Sequence, residues 1–259
     1  MLANGNDRLL EYFGPCGAWA LRTYRMCAHR CTYCNTWAQG SSTPMLPISE
    51  ILGALRRELA DVPADQTIIV GPPSDGYPPA EKRHGVTRAV VEELLRQGRP
   101  VSVVTKGTTV ARDADLFAAA GDRASVHVSL CSVDDAALRR LEPGAPSARA
   151  RLALVRRLRA AGVWVQVDAT PWIPGVSDAG ALLAAVPADV VVQFGPLDVS
   201  HLRVTDQLAI GWTFTQREID RAYLEERARM PVDERAKWLY PIGASAAEHD
   251  ITAYMPPGK

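Results

Sequence analysis

The sequence predicts an α/β fold, namely a partial (β/α)6, TIM-like barrel followed by a C-terminal extension. First, short apolar segments typical of buried strands alternate with amphipathic segments typical of helices. Second, six such units in succession favour a parallel sheet with right-handed crossovers, about three-quarters of an eight-stranded barrel. Third, no G-x-G-x-x-G motif follows the first strand, which argues against a dinucleotide-binding fold.

Each predicted strand is a short run of apolar or β-branched residues that ends at a turn or a polar residue. The first, residues 17–24, leads directly into a cysteine-rich loop. The second, T-I-I-V, ends at Gly71-Pro72-Pro73, where the chain is expected to turn. From this second strand onward, the strands are expected over residues 67–70, 101–105, 125–131, 163–167 and 190–194.

Helices are predicted where apolar residues recur every three or four positions between these strands. They cover residues 48–59, 86–97, 112–120, 147–161 and 179–186. The barrel domain is expected to span residues 1–197. Residues 198–259 are expected to form an extension that covers the barrel opening and contains a charged helix near residues 216–229.

Composition and charge indicate a soluble globular protein with a sizeable core. The chain has 259 residues, of which 47% are hydrophobic and 22% charged. Its formal net charge is zero, so nucleic acid is not favoured as a partner. No apolar run approaches membrane-spanning length, and the N-terminal residues are polar rather than signal-like. We therefore expect a cytoplasmic protein with no membrane partner, in a compartment where thiols stay reduced.

Three of the five cysteines, Cys27, Cys31 and Cys34, form a C-x3-C-x2-C spacing. Thiolates are the usual ligands of iron–sulfur clusters, which normally take four of them. Three close thiolates without an obvious fourth would leave one iron open, and an open position distinguishes a catalytic metal site from a structural one. The alternatives are a non-catalytic zinc-binding module, a disulfide, and a chance grouping of buried cysteines.

This spacing resembles the signature of the radical S-adenosylmethionine (SAM) enzymes, in which an aromatic or apolar residue, here Tyr33, precedes the third cysteine. The resemblance implies a [4Fe–4S] cluster whose open iron binds the amino and carboxylate groups of SAM. It also implies an enzyme in which one electron, from a donor such as flavodoxin or ferredoxin, cleaves SAM and releases a 5′-deoxyadenosyl radical. An incomplete barrel with an open side is the fold that the resemblance implies.

Further motifs resemble the spore-photoproduct-lyase-like subgroup of this superfamily, over roughly residues 16–197. They are S-D-G-Y-P-P-A-E (74–81), V-T-R (86–88), S-V-V-T-K (102–106), R-D-A-D-L (112–116), V-S-L (128–130), L-E-P-G-A-P-S (141–147) with R-L (151–152), and P-W-I-P-G-V-S-D (171–178). Spore photoproduct lyase has a hydrogen-donating cysteine just after its second strand, whereas residues 70–74 contain none here. This difference weakens the prediction of DNA-lesion repair.

Residues at or near the strand ends are expected to bind SAM, because functional side chains of such barrels gather where the parallel strands end. Lys106 and Arg151 are expected to pair with the SAM carboxylate. The other expected contacts are Ser74 and Asp75 near the amino group, Ser129 at the ribose or carboxylate, Asp168, Trp172 and Ile173 around the ribose and adenine, and Tyr33 at the adenine edge. For each residue the alternative is an ordinary surface charge or core side chain.

Cys131 is the candidate catalytic residue outside the cysteine loop. Alternation along a strand places His127, Ser129 and Cys131 on one face, so Cys131 is expected to point into the barrel with Ser129. A thiol there would donate a hydrogen atom to a substrate radical or bond to it covalently. The alternative is a buried, inert cysteine, which is also the role expected of Cys16.

The expected function is hydrogen abstraction from a small molecule, since a compact barrel suits a small ligand. A nucleoside, nucleotide or sugar derivative of specialised metabolism is the expected substrate class. Lyase chemistry, rearrangement, carbon–carbon bond formation and sulfur transfer all stay open. Nucleic-acid repair of the photoproduct-lyase type is the alternative enzymatic function.

Overall fold

The computed structural model describes residues 8–13, 18–34, 40–199 and 214–239, and these contain an eight-stranded sheet. The strands lie across the sheet in chain order, with β1 at one edge and β8 at the other. Their bounds are β1 Leu10–Phe13, β2 Ala18–Leu21, β3 Ile68–Val70, β4 Val101–Thr105, β5 Ala124–Ser129, β6 Trp164–Trp172, β7 Val191–Pro196 and β8 Ala236–Trp238. β1 is antiparallel to β2, and every later pair of neighbours is parallel.

The helices follow the parallel strands. They are α1 Ile48–Glu58, α2 Glu81–His84, α3 Val86–Arg96, α4 Ala114–Ala120, α5 Asp135–Leu141, α6 Ala148–Ala160, α7 Ala179–Ala185 and α8 Gln216–Arg229. α3 contacts β4, α4 contacts β5 and α6 contacts β6, as expected for helices that cover one face of a sheet. No helix in the described ranges combines the length and apolar character needed to cross a membrane.

The predicted partial (β/α)6 barrel is confirmed, because β2 to β7 are six parallel strands in chain order. β8 adds a parallel strand and β1 an antiparallel edge strand, neither of which the sequence predicted. Both are short, and their exposed side chains Tyr12 and Lys237 interrupt the apolar pattern that marks a buried strand.

Several predicted bounds need correction. The first parallel strand ends at Leu21, before the predicted end at residue 24. Residues 112–120, predicted as one helix, are the end of a 3-10 segment, Thr108–Asp113, followed by α4. β6 continues past the predicted end at residue 167, and its register with β7 becomes irregular between Ala169 and Trp172. The short helices α2 and α5 were missed, because neither is long enough to show a helical period.

The described part of the predicted extension, residues 214–239, lies against the last barrel strands. Tyr223 of α8 is buried, and its hydroxyl is 2.9 Å from the Phe194 carbonyl oxygen and 2.8 Å from that of Leu239. Trp238 of β8 stacks on Phe194 with ring centroids 4.5 Å apart. The domain boundary at residue 197 and the covering of the opening stay predictions. Residues 200–213 and 240–259, and Cys16, lie outside the described residues.

The two faces of the sheet differ in polarity. Side chains alternate along a strand, and residues in register on parallel strands share a face. The outer face of β4 to β7 is apolar and joins the helices in the core, with Val103, Val126, Val165 and Val192 at its centre. The inward face is polar and carries Ser102, Ser125, His127, Ser129, Gln166, Asp168 and Gln193, all buried. The barrel interior is therefore suited to a ligand that forms hydrogen bonds.

Candidate active site

The cysteine loop joins β2 to α1, at the carboxyl end of the first parallel strand. Its backbone folds back on itself: the Cys34 amide donates to the Cys31 carbonyl at 3.2 Å, and the Gly40 amide to the Cys27 carbonyl at 2.9 Å. None of the three cysteines forms a disulfide within the described residues; Cys31 is buried, and Cys27 and Cys34 are partly exposed. The predicted metal ligands thus lie on one compact loop.

An ion pair between His29 and Asp75 anchors this loop to the barrel. His29 Nε2 lies 2.9 Å from Asp75 Oδ2. Burial lowers the pKa of His29, but the Asp75 charge outweighs burial and raises it. Burial likewise raises the pKa of Asp75, but His29 and the hydrogen bonds to the carboxylate hold it below its usual value. The carboxylate also accepts hydrogen bonds from the Thr105 hydroxyl at 2.6 Å and from the Tyr77 and Lys106 amides at 2.8 Å.

Asp75 and Ser74 therefore already have partners within the protein. The Ser74 hydroxyl donates to the Gly71 carbonyl at 3.0 Å. Their contact with the amino group of SAM stays a prediction. What the geometry adds is that Asp75 fixes the cysteine loop relative to β3 and β4, a role that spacing in the sequence could not reveal.

Glu142 is the centre of a buried polar cluster beside the cysteine loop. Arg151 donates to its Oε2 at 2.6 Å, the Tyr33 hydroxyl donates to Oε1, and Cys131 Sγ donates to Oε1 at 3.7 Å. Lys106 Nζ lies 3.9 Å from the same oxygen and 5.8 Å from the centroid of the Tyr33 ring. The structure thus brings together four predicted site residues around a glutamate of the L-E-P-G-A-P-S motif that was not itself among the predicted site residues.

This cluster, Glu142 with Tyr33, Lys106, Cys131 and Arg151, carries one net positive charge, because two cations face one carboxylate. Burial raises the pKa of Glu142, but Lys106 and Arg151 hold it below its usual value. Burial lowers the pKa of Lys106, but Cys31 and Glu142 outweigh burial and raise it. The side chain of Lys106 is 15% exposed. A cation beside the cysteine loop suits a carboxylate ligand.

Arg151 is placed more deeply than its predicted contact with SAM requires. The side chain is fully buried, and its Nη1 donates to the Ser129 carbonyl at 2.8 Å while Nη2 donates to Glu142. In this arrangement Arg151 holds Glu142 and the end of β5 in position. Its direct contact with SAM stays a prediction.

The turn after Glu142 packs directly on the cysteine loop. The Gly144 amide donates to the His29 carbonyl at 2.9 Å. A Cβ atom at Gly144 would lie 2.2 Å from the Ala28 carbonyl oxygen, so only glycine allows this approach. The motif L-E-P-G therefore supplies both the central carboxylate and a backbone surface against which the loop rests.

Ser129 at the end of β5 lies in register with Asp168 in the middle of β6, and both are on the inward face. Asp168 Oδ1 accepts a hydrogen bond from Gln166 at 2.8 Å, and Oδ2 lies 3.5 Å from His127 Nδ1. Burial raises the pKa of Asp168, but His127, Gln166 and, more weakly, Lys106 lower it below its usual value. This electrostatic coupling to Lys106 places Asp168 within reach of the charged cluster.

Trp172 and Ile173 are buried after the end of the regular register of β6. The Trp172 ring packs edge-on against Tyr223 of α8, with centroids 5.8 Å apart. Both side chains belong to the hydrophobic core, and their predicted contact with the SAM adenine stays a prediction.

The donor set fits an iron–sulfur cluster. Three cysteines that form no disulfide share one loop. Burial raises the pKa of Cys31, and the Lys106 cation acts against burial and lowers it by less. Burial and Asp75 raise the pKa of Cys27 to about 12, so metal loading would release thiol protons. No three His, Cys, Asp or Glu side chains of the described residues are gathered tightly enough for a single ion. Cluster ligands bind separate irons and do not need that proximity.

A partial parallel barrel with three cysteines on the loop after its first parallel strand is the architecture of a SAM-dependent iron–sulfur enzyme. The sequence model of the radical SAM superfamily matches residues 21–183, and the chain belongs to this superfamily. The predicted cofactors, a [4Fe–4S] cluster and SAM, are therefore confirmed as those of its family.

The similar proteins agree with this assignment. An uncharacterized protein of Mycobacterium tuberculosis (strain ATCC 25618 / H37Rv) is 33% identical over 209 residues, covering 73% of this chain and 59% of its own length. This chain therefore spans less than two-thirds of that relative. Spore photoproduct lyase complexed with dinucleoside spore photoproduct matches with a TM-score of 0.57 at 15% identity, over 88% of this chain and 67% of that one. Streptococcus suis SuiB bound to SAM matches with a TM-score of 0.61 at 10% identity, over 86% and 49%. At these identities the two structures show the shared fold alone.

Proposed function

We propose that this protein uses SAM to remove a hydrogen atom from a small-molecule substrate held in the barrel interior. The observation that carries the proposal is the cluster around Glu142, in which Lys106 stands as a cation beside Cys31. A second feature supports it: the polar inward side chains of β5 to β7 come within electrostatic reach of the same lysine at Asp168.

When bound, the cluster and SAM supply one-electron cleavage of a sulfonium bond and a carbon radical that takes hydrogen from a C–H bond. In our proposal Cys27, Cys31 and Cys34 hold the cluster. Lys106 pairs with the SAM carboxylate, as its position and charge allow. A one-electron donor such as flavodoxin or ferredoxin is the proposed reductant.

The other residues orient the reactants. Ser129 and Asp168, in register on β5 and β6, are placed to hydrogen-bond hydroxyl groups of a ligand. Glu142 and Arg151 act through Lys106, because their ion pair fixes the carboxylate that the ammonium group faces. Correct positioning of this kind is the main contribution a protein makes when a cofactor provides the reactive group.

Cys131 is the proposed hydrogen-atom donor to the substrate radical. Burial and the Glu142 charge raise its pKa to about 12, so the sulfur keeps its hydrogen at neutral pH. Its Sγ lies 3.7 Å from Glu142 Oε1, within the cluster that includes Lys106. Donation would leave a thiyl radical, which one electron from the reductant and one proton would convert back to the thiol.

The proposed function is tested with anaerobically reconstituted protein, SAM and dithionite. We expect 5′-deoxyadenosine to form, and the mass of a candidate nucleoside or sugar added to the mixture to change. Absence of 5′-deoxyadenosine would contradict the proposal. Tight binding of duplex DNA that weakens steeply with salt would instead favour repair of the photoproduct-lyase type.

Lys106→Met is expected to weaken SAM binding by roughly 10- to 100-fold, because a hydrogen bond to a charged group contributes roughly 1.5–3 kcal/mol. Iron content should not change. Calorimetric titration with SAM measures the affinity, and Lys82→Met, which removes an exposed lysine from α2, is the matched control. Equal SAM affinity in wild type and Lys106→Met would remove Lys106 from the binding site.

Cys131→Ala is expected to lower product formation at least tenfold once the substrate is known, while iron content is retained. The physical reason is that alanine has no weak X–H bond to give to a radical. Liquid chromatography with mass detection would follow the product and 5′-deoxyadenosine together. Product formation at the wild-type rate would show that Cys131 only fills space.

A further inference from the structure

Gln193 of β7 has an unsatisfied amide inside the barrel. The side chain is fully buried on the inward face, in register with Asp168 of β6. Its Oε1 accepts a hydrogen bond from Gln166 Nε2 at 3.3 Å, but its own Nε2 has no hydrogen-bond partner among the described residues. Since nearly all buried polar groups in proteins are hydrogen-bonded, this exception needs an explanation.

A second unsatisfied donor lies on the neighbouring strand. The Thr170 hydroxyl oxygen of β6 is shielded from solvent and has no partner in the part of the chain that the structure describes. A Cβ atom at Gly195, two residues after Gln193, would lie 2.9 Å from this oxygen. Alternation puts Gly195 on the same inward face as Gln193. Two donors of adjacent strands therefore face the barrel interior near Asp168.

Gln193, Thr170 and Asp168 form one wall of the barrel interior. The charges at this wall indicate whether its ligand is charged or neutral. The inward positions within β4 to β7, all of them described, carry no lysine or arginine. Two lysines border them: Lys106 just after β4 faces Glu142, and Lys237 of β8, in register with Gln193, has an exposed side chain whose charge water screens. Asp168 is the carboxylate of the inward positions, and it would repel an anion. By contrast, hydroxyl and carbonyl oxygens of a ligand would accept hydrogen bonds from the unsatisfied N–H and O–H groups. Such a ligand brings no charge that the wall would have to neutralise.

We infer that Gln193 and Thr170 are substrate-binding residues, and that they take an uncharged small molecule rich in hydroxyl or carbonyl oxygens, such as a nucleoside or free sugar. This inference rests on the proposed function, because it places the substrate of that reaction beside Asp168. It narrows the substrate class by excluding phosphorylated derivatives from this wall.

The first test compares two buried glutamines of the same face. Gln193→Met removes an unsatisfied N–H donor together with the one long hydrogen bond accepted from Gln166, so we expect the melting temperature to change little. Gln166→Met, the matched control, removes hydrogen bonds to Asp168 and Gln193 and is expected to lower it. If Gln193→Met lowers the melting temperature as much as Gln166→Met, the amide is structural and the inference is overturned.

The second test measures binding to reconstituted protein with SAM and without reductant. The probes are adenosine, uridine and D-glucose, each compared with AMP, UMP or glucose 6-phosphate. We expect at least one uncharged probe to bind, its phosphate to bind at least tenfold more weakly, and Gln193→Met to bind that probe at least tenfold more weakly. Lack of binding by all three uncharged probes, equal or tighter binding of the phosphates, or wild-type affinity in Gln193→Met would each overturn the inference.

Failure of the inference can be distinguished from failure of the proposed function. Formation of 5′-deoxyadenosine by the wild-type protein tests the function and requires none of these probes. If wild type forms 5′-deoxyadenosine but the probe pattern fails, only the substrate-binding role of Gln193 and Thr170 is lost.

Discussion

Cys31→Ala is expected to abolish the iron–sulfur cluster and, with it, all SAM-dependent formation of 5′-deoxyadenosine. Cys31 is the middle of the three loop thiols and the buried one, next to the Lys106 cation. Two remaining thiols cannot hold a cluster that normally requires three or four protein ligands. Iron and sulfide analysis, together with visible absorption after anaerobic reconstitution, would measure the loss.

The matched control is Cys131→Ala, which removes a buried cysteine of the same chain that lies outside the loop. This variant should keep its iron and its absorption spectrum. Retention of a wild-type cluster by Cys31→Ala would remove Cys31 from the ligand set. Loss of iron from both variants would indicate that the cysteines act through folding and not as cluster ligands.

Glu142→Gln is expected to destabilise the protein by about 3 kcal/mol, because it leaves the buried Arg151 cation without its carboxylate. Both side chains of this pair are fully buried and their atoms are 2.6 Å apart. For a chain of this size the melting temperature should fall by roughly 6–12 °C. SAM affinity should fall as well, since Lys106 loses the carboxylate that orients it.

Scanning calorimetry of the reconstituted protein measures the first effect, with Glu92→Gln as the control. Glu92 forms an exposed pair with Arg88 at 2.8 Å, and such pairs contribute at most about 1 kcal/mol. Each substitution removes one negative charge, so the difference between the two melting temperatures measures the effect of burying the ion pair. Equal melting temperatures for the two would contradict a central role for Glu142.

The sequence predicted the barrel well because β2 to β7 are largely buried apolar runs with clear boundaries. Val101–Thr105 of β4 matches the prediction residue for residue, since a β-branched run there ends at a lysine. The edge strands were missed, because strands of three or four residues that include exposed side chains carry too little pattern. Ala236–Trp238 forms a strand through pairing with β7, which is a tertiary effect.

Site residues could be predicted where they lie close together in the sequence, but not where folding brings them together from distant positions. The spacing of Cys27, Cys31 and Cys34 is enough to predict a loop that binds an iron–sulfur cluster. By contrast, Tyr33 and Glu142 are separated by 109 positions, and their hydrogen bond exists only because the turn after α5 packs on the loop. The unsatisfied amide of Gln193 is equally invisible in sequence, although a glutamine inside a predicted buried strand is itself an unusual signal.

The most direct test of the central claim is electron paramagnetic resonance of the reduced, reconstituted protein before and after addition of SAM. If Cys27, Cys31 and Cys34 hold the cluster as proposed, one iron is left to bind SAM through its amino and carboxylate groups. We therefore predict that SAM shifts the cluster signal, and that SAM labelled with ¹⁵N at the amino group produces nitrogen hyperfine coupling. An unchanged signal without coupling would show that SAM does not bind the cluster, and would contradict the account.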